Sequence, residues 1–184
     1  MSKPIPLYRK LFLSGKIEAL AVASIINEIH KINFDDDKNE EEYRDWVREP
    51  IKLFINSFGG SVYDGLALVD VIKQSKTPIH TIVIGSGMSM GLWIFLSGHK
   101  RFIGANSTLM FHDISCGIWD KSEGIKLELE EMLRLQKMLC TEIVESTLIT
   151  QAKLDDYITR KAEWYISSKD ALALRLADEY YKEI

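Results

Sequence analysis

Ser89 lies at the centre of Gly87-Met88-Ser89-Met90-Gly91, a Gly-x-Ser-x-Gly pattern. In some hydrolases this pattern presents a nucleophilic serine on a tight turn between a strand and a helix. A serine nucleophile needs a general base within hydrogen-bond reach and an acid that orients the base. Because the pattern is short enough to occur by chance, the rest of the chain must supply these partners.

Histidine is the usual base, and the chain has four histidines. His30 belongs to an amphipathic helix and His80 begins a strand well before Ser89. His99 lies at the far end of the helix that follows Ser89, and about ten helical residues separate the two by roughly 15 Å. His112 ends a predicted strand, which is where open α/β sheets collect their active groups. His112 is therefore the candidate base.

The order of residues along the chain constrains the acid. An α/β-hydrolase follows the order serine, acid, histidine, but the segment between Met90 and Phe111 contains no Asp or Glu. Asp113 follows the histidine directly, and the alternation of side chains along a strand predicts that it points away. The acids of the next long helix have the periodicity of solvated faces. Glu163, which precedes a short apolar strand, is the best-placed remaining acid.

The negative charge that develops on a tetrahedral intermediate needs preorganised backbone N–H donors. Gly59 and Gly60 form a turn before a helix, where the main chain can approach a substrate closely. The N–H of Met90, in the first turn of the helix after Ser89, is the natural second donor, assisted by the helix dipole. The alternative interpretation of the glycine pair is a plain tight turn.

The elements that must position these groups alternate between strands and helices. Predicted strands cover 7–15, 51–56, 79–85, two short segments around an Asn-Ser turn within 100–112, and 163–167. Predicted helices cover 17–32, 66–75, the segment after Ser89, 121–148, 149–161 and 169–179. The strand–helix repeats predict one α/β domain over residues 1–184, with a largely parallel sheet and helices on both faces. Ser167, three residues before Asp170, predicts a cap for the last helix.

The long helix over 121–148 carries two apolar strips. One strip contains Ile125, Leu129, Met132, Leu139 and Ile143, and the other contains Leu127, Leu135 and Met138. One strip is enough to cover a domain core, so the second predicts contact with another subunit.

The composition excludes several classes of function. The formal net charge of -4 and the absence of a basic stripe argue against nucleic-acid binding. The segment 81–98 is uncharged, but its Gly-Ser-Gly break predicts a buried strand and a buried helix rather than a membrane span. The N-terminus has no secretory signal, and Cys116 and Cys140 are expected to be packing residues in a reducing compartment. We therefore expect a cytoplasmic protein. The acidic run from Asp35 to Glu42 predicts a solvated loop or helix edge.

Four segments together closely resemble the proteolytic subunits of the Clp protease family. They are INSFGGSVYDGLALVDVI, GMSMGLWIFLSG, KRFIGANSTLMFH and WYISSKDALALRLAD, and the similarity runs from about Leu11 to Asp178. Several motifs in the family's order are far more specific than Gly-x-Ser-x-Gly alone.

The resemblance implies a crotonase-like fold of repeated ββα-type units with a long handle helix, here 121–148. It also implies a serine endopeptidase that cuts unfolded polypeptides inside two stacked seven-membered rings. Ser89 matches the nucleophile, His112 the base, and Gly60 and Met90 the oxyanion-hole donors. No cofactor or metal is expected in this chain, and ATP enters only through an AAA+ unfoldase partner.

The chain departs from the family at several places. Glu163 stands where the family has an aspartate, Phe58 where it commonly has proline, and Asp113-Ile114 where it commonly has Gln-Pro. Residues 33–49 are longer and more acidic than the matching connection. The N-terminal segment that meets the ATPase is expected to be shortened or absent.

Three other functions are compatible with parts of the pattern. The first is a Clp-like structural subunit without activity, for which the glutamate substitution leaves room. The second is a crotonase-type acyl-CoA enzyme, which also uses two backbone N–H groups, but its enolate chemistry does not need a serine paired with histidine. The third is a Ser-Lys dyad, for which Lys76 and Lys100 are the nearest lysines and look exposed.

Overall fold

The computed structural model describes residues 8–114 and 122–182. Its strands are β1 Lys10–Ile17, β2 Ile51–Gly60, β3 Ile79–Met88, β4 Lys100–Ile103, β5 Thr108–Phe111, β6 Trp164–Ser167 and β7 Glu179–Tyr180. Its helices are α1 Ala19–Glu42, α2 Val62–Gln74, α3 Met90–Leu96, α4 Ser122–Ser146, α5 Gln151–Thr159 and α6 Ser168–Ala173. The predicted α/β fold is confirmed, whereas Cys116 and the predicted first residue of the handle helix, Lys121, lie outside the described residues.

The sheet is built around β3. Its order is β1-β2-β3-β4-β7, with parallel pairing at each step, and β6 runs antiparallel to β5. The two short strands β4 and β5 both pair parallel with β3, β4 along residues 80–83 and β5 along 86–88. They lie end to end beside β3 rather than forming a hairpin around the Asn-Ser turn. The end of β3 and the end of β5 therefore meet at one edge of the sheet.

The core follows from the apolar content of the central strands. In β2 and β3, Ile51, Leu53, Ile55, Ile79 and Val83 are fully buried. Such runs are typical of parallel strands that are covered on both faces. Helix α1 packs against β1 and α2, and α3 packs against β2 and β3. The uncharged segment 81–98 forms most of β3, all of α3 and the turn after it, and no helix in the described part of the chain could span a membrane.

The acidic run forms a helix edge, one of the two forms predicted for it, except that one of its carboxylates is buried. Residues 35–42 form the last turns of α1, and the side chain of Asp36 is fully buried. Its Oδ1 accepts hydrogen bonds from Arg9 Nη2 at 2.7 Å and Trp46 Nε1 at 3.0 Å. Its Oδ2 accepts from Arg9 Nη1 at 2.8 Å and the Thr77 hydroxyl at 2.6 Å. Buried charges of this kind need a full set of partners, so the run encodes a core anchor as well as a charged surface.

The buried Asp36 carboxylate and its hydrogen bonds should make the fold less stable as the pH falls. Burial acts to raise the pKa of Asp36, but the hydrogen bonds from Arg9, Thr77 and Trp46 outweigh it and hold the pKa below the ordinary value. A carboxylate with a lowered folded pKa stabilises the fold above its unfolded pKa, and the contribution is lost as the pH falls through the folded value. We expect Asp36→Ala to lower the free energy of unfolding by about 3 kcal/mol at neutral pH, because the Arg9 guanidinium loses its partner.

Urea unfolding between pH 3 and pH 7 measures this effect. Asp37→Ala is the matched control, because Asp37 is the next residue and its exposed side chain pairs with Arg48 and Lys76. We expect a much smaller loss for that variant, since exposed ion pairs contribute little. Equal losses in the two variants would contradict the role assigned to Asp36.

Helix α4 divides into a buried half and an exposed half. Leu135, Leu139 and Ile143 in its second half are buried. Four apolar side chains in its first half and middle stay exposed: Ile125 at 42%, Leu127 at 64%, Leu129 at 49% and Leu133 at 60%. Ile125, Leu129 and Leu133 follow at four-residue spacing along one side of the helix, and Leu127 lies on another side; exposed apolar side chains in this number are typical of an interaction site.

Candidate active site

Ser89 sits in a strained turn between β3 and α3. It has φ 52 and ψ -127, a conformation that side chains with a Cβ rarely adopt. Its N–H donates to the carbonyl of Met110 at 2.9 Å, which ties the turn to β5. Non-glycine residues with this backbone cost about 1–3 kcal/mol and persist where the surrounding structure requires them, often at functional sites. The turn predicted from the glycine pattern is thus present and fixed to the neighbouring strand.

A cleft of about 260 Å³ collects most of the predicted site. Its lining residues are Gly60, Val62, Ser89, Met90, Trp93, His112, Asp113, Ile114 and Leu139. The predicted nucleophile, base and both predicted oxyanion donors are among them. These residues come from distant parts of the chain and meet because β5 pairs with the end of β3.

The glycine turn is held by a buried serine. Ser57 is fully buried, donates from its hydroxyl to the Gly15 carbonyl at 2.5 Å, and accepts from the Gly59 N–H at 3.0 Å. The Ser61 N–H donates to the Ile17 carbonyl at 2.9 Å. Gly60 is the last residue of β2, between these two anchored N–H groups, and it lines the cleft. This place suits a donor to a bound oxyanion.

Close packing explains why the turn contains glycine. Gly59 has φ +105, and a Cβ there would lie 2.7 Å from Ser89 Cβ and 3.1 Å from its Oγ. The glycine turn and the serine turn are therefore in direct contact. Any side chain at residue 59 would displace the candidate nucleophile.

Helix α3 and helix α4 form the apolar wall of the cleft. Met90 is the first residue of α3, where backbone N–H groups have no partner within the helix. Trp93, one turn later, donates from Nε1 to the Leu139 carbonyl of α4 at 3.1 Å. Trp93 and Leu139 are buried, at 2% and 1% exposure. These two residues, which the sequence motifs did not single out, shape the space beside Ser89.

Glu163 is the predicted residue that stands apart from the cleft. It is exposed, immediately before β6, and its Oε2 accepts a hydrogen bond from the Tyr165 hydroxyl at 2.5 Å. The antiparallel register ends at the pair Phe111 and Trp164, and His112 and Glu163 are the next residues of the two chains. Ser89, His112 and Glu163 are all described, yet no side-chain hydrogen bond links any two of them. Catalytic hydrogen bonds are often long without substrate and shorten on binding.

Asp113 lies closer to the site than strand alternation predicted. Strand β5 ends at Phe111, so the alternation of side chains along a strand does not extend to His112 and Asp113. Both residues line the cleft. The prediction that Asp113 points away therefore loses the strand on which it rested.

Gln136 of α4 anchors the segment that follows the base. This side chain is buried, and its Oε1 accepts from the Ile114 N–H at 2.7 Å. Its Nε2 donates to Cys140 Sγ at 3.2 Å. The buried pair of Gln136 and Cys140 thereby fixes the backbone two residues after His112. Burial also raises the pKa of the Cys140 thiol, which fits the packing role predicted for this residue.

His80 in β3 and His99 in the turn after α3 lie outside the Ser89 cleft. His99 Nδ1 accepts from the Ile79 N–H at 3.1 Å, which is a structural contact. His80 lines a different pocket, together with Lys52 and Phe102. Neither is among the residues that line the Ser89 cleft.

Comparisons with known proteins agree with this geometry. The Clp protease family model matches residues 7–183. The ATP-dependent Clp protease proteolytic subunit of Deinococcus radiodurans is 30% identical over 173 residues, which cover 93% of this chain and 79% of the relative. The subunit of the same name from Borrelia garinii is 31% identical, covering 92% of this chain and 82% of the relative. Subunit 1 from Prochlorococcus marinus is 34% identical over 70% of this chain and 66% of its own length.

Proposed function

The chain belongs to the Clp protease family and is a serine-type peptidase, and from this premise we propose that it is an endopeptidase that hydrolyses unfolded polypeptides inside a homo-oligomeric chamber. The observation that carries the proposal is the single cleft in which Ser89, His112, Gly60 and Met90 meet. These residues correspond to a nucleophile, a base and two backbone donors, which are the parts that acyl transfer requires.

The proposed chemistry proceeds through an acyl-enzyme. His112 takes the proton from Ser89 Oγ as the oxygen attacks the scissile carbonyl, and the N–H groups of Gly60 and Met90 hold the oxyanion. His112 then gives the proton to the leaving amine. A water molecule, deprotonated by the same imidazole, attacks the acyl carbon, and the imidazolium returns the proton to Ser89 Oγ as the C–Oγ bond breaks and the acid leaves. Glu163 orients His112 as the third member of the triad. The reaction needs no cofactor or metal from this chain.

The assembly is proposed from helix α4. The exposed apolar side chains Ile125, Leu127, Leu129 and Leu133 support contact between subunits. We place them at the junction of two stacked seven-membered rings, as the family resemblance implies. An AAA+ unfoldase would supply substrate and consume the ATP, and the cytoplasm is the proposed compartment.

A catalytically weak structural subunit is the second candidate. The arrangement of the triad favours it, because no hydrogen bond joins Glu163 to His112 among the described residues. The two candidates make opposite predictions for peptide hydrolysis by the purified protein.

Light scattering and peptide hydrolysis on one sample test the proposal. We expect a mass many times that of the 21.1 kDa chain, hydrolysis of unstructured peptides, and covalent labelling by a fluorophosphonate probe. An assembled protein that neither hydrolyses peptides nor takes up the probe would support the structural subunit instead. An active monomer would contradict the chamber.

A further inference from the structure

Glu163 and Tyr165 form a pair at the exposed start of β6. Residues two apart on a strand share a face, and here the Tyr165 hydroxyl donates to Glu163 Oε2 at 2.5 Å. Tyr165 is 57% exposed, so its ring is not needed to fill the core. The hydrogen bond from the Tyr165 hydroxyl to Glu163 lies near the candidate active site, and packing does not explain it.

The register of β5 and β6 brings the start of this pair close to the base. Met110 pairs with Tyr165 and Phe111 pairs with Trp164, and His112 and Glu163 are the next residues just past the two paired strands. Opposite residues of antiparallel strands have Cβ atoms about 4.5–5.5 Å apart, so two residues one step beyond the last pair start from a similar separation. A glutamate side chain can span that separation and reach an imidazole nitrogen.

The backbone that carries the pair is well supported. The Trp164 ring stacks on Tyr157 of α5, with the ring centroids 5.1 Å apart. Ile166, on the opposite face of β6, is buried against Leu109. Ser167 then caps α6 by accepting from the Asp170 N–H, as the sequence predicted. Tyr165 therefore extends from a fixed strand, and its hydroxyl can restrain a flexible neighbour.

The restraint matters because the acid is glutamate. A glutamate has one more rotatable bond than an aspartate, and an exposed one samples several rotamers. An ionised carboxylate accepts several hydrogen bonds over its two oxygens. The tyrosine occupies Oε2 and leaves Oε1 for the N–H of His112. The bond to Glu163 also raises the pKa of Tyr165, so the hydroxyl keeps its proton at neutral pH.

We propose that Tyr165 is a positioning residue for catalysis: its hydroxyl holds the carboxylate of Glu163 so that the other carboxylate oxygen can orient and charge-stabilise His112. This inference rests on the proposed function and adds a fourth member to the proposed triad. The tyrosine acts through Glu163 and does not contact the substrate.

Tyr165→Phe tests the inference, since it removes the hydroxyl and keeps the ring. We expect kcat for peptide hydrolysis to fall about fivefold with KM unchanged, as for the loss of one hydrogen bond. The kcat is expressed per active site titrated with the fluorophosphonate probe, so a loss of folded protein alone would leave it unchanged.

Two further variants complete the experiment. Tyr43→Phe is the matched control, because Tyr43 also bonds to a neighbouring carboxylate, that of Glu42, and is not among the residues that line the cleft. Its kinetics should equal those of the wild type. Glu163→Gln should lower kcat further than Tyr165→Phe, and adding Tyr165→Phe to it should change nothing more.

The outcomes distinguish a failure of the proposal for Tyr165 from a failure of the proposed function. An assembled wild type that is inactive and unlabelled overturns both. An active wild type with an unchanged Tyr165→Phe variant overturns only the inference. A faster Tyr165→Phe variant also overturns it, because the tyrosine would then be withdrawing Glu163 from His112.

Discussion

Ser89→Ala should abolish fluorophosphonate labelling and lower peptide hydrolysis by about 10⁴-fold or more while the protein still assembles. The large effect follows from the role of Oγ as the only atom that forms the acyl bond in the proposed mechanism. The small structural effect follows from the backbone: the bond from the Ser89 N–H to the Met110 carbonyl, at 2.9 Å, does not involve the side chain.

The control for this prediction is Ser97→Ala, a serine at the other end of α3. The Ser97 hydroxyl donates to the Ile94 carbonyl at 2.7 Å and is buried, whereas Ser89, which flanks the other end of the same helix, is only partly buried and lines the cleft. We expect labelling and hydrolysis close to those of the wild type. Substantial hydrolysis by a pure Ser89→Ala protein would assign the nucleophile to another residue.

Gly60→Ala should cost both stability and activity. An added Cβ would lie 2.2 Å from the Ile17 carbonyl oxygen and 2.8 Å from the Ile17 nitrogen. Those atoms belong to the backbone of β1 and cannot rotate away as a side chain would. We expect the free energy of unfolding to fall by more than about 2 kcal/mol. Because the turn must shift, one oxyanion donor is lost and kcat should fall by about 10²-fold or more.

Gly15→Ala separates this close approach from the general effect of replacing a glycine. Gly15 has φ +88, but a Cβ there would meet no heavy atom within 4 Å. It should therefore lose about 1 kcal/mol of stability from backbone strain and keep its activity. Urea unfolding and kcat, measured on both variants, make the comparison. If Gly60→Ala were as stable and active as Gly15→Ala, Gly60 would not be an oxyanion donor.

Local patterns predicted the elements well because they depend on short-range periodicity. The apolar positions Val22, Ile25, Ile29 and Ile32 predicted the buried face of α1, and all four are buried. The glycine pattern predicted the Ser89 turn, and the spacing of Ser167 and Asp170 predicted a helix cap that is present. Each of these features is decided by residues within about one turn of one another.

Long-range pairing explains what the local patterns missed. The acidic run forms a helix edge, one of its two predicted forms, but Arg9, Trp46 and Thr77 converge on Asp36 from three other segments and bury it. The prediction for Asp113 assumed that the strand continues, but β5 pairs with β6 only as far as Phe111. No pattern within either segment shows where a distant partner begins or ends.

By itself, the sequence determined the alternation of strands and helices, the resemblance to the family and the identity of the residues able to do acyl-transfer chemistry. Only the tertiary structure decided which of them share a cleft, because that depends on β5 aligning with the end of β3. It also decided that Arg9, Trp46 and Thr77 converge on the buried Asp36. The physical reason is that periodicity encodes which face of an element is buried, whereas the register between elements is set by packing across the whole core.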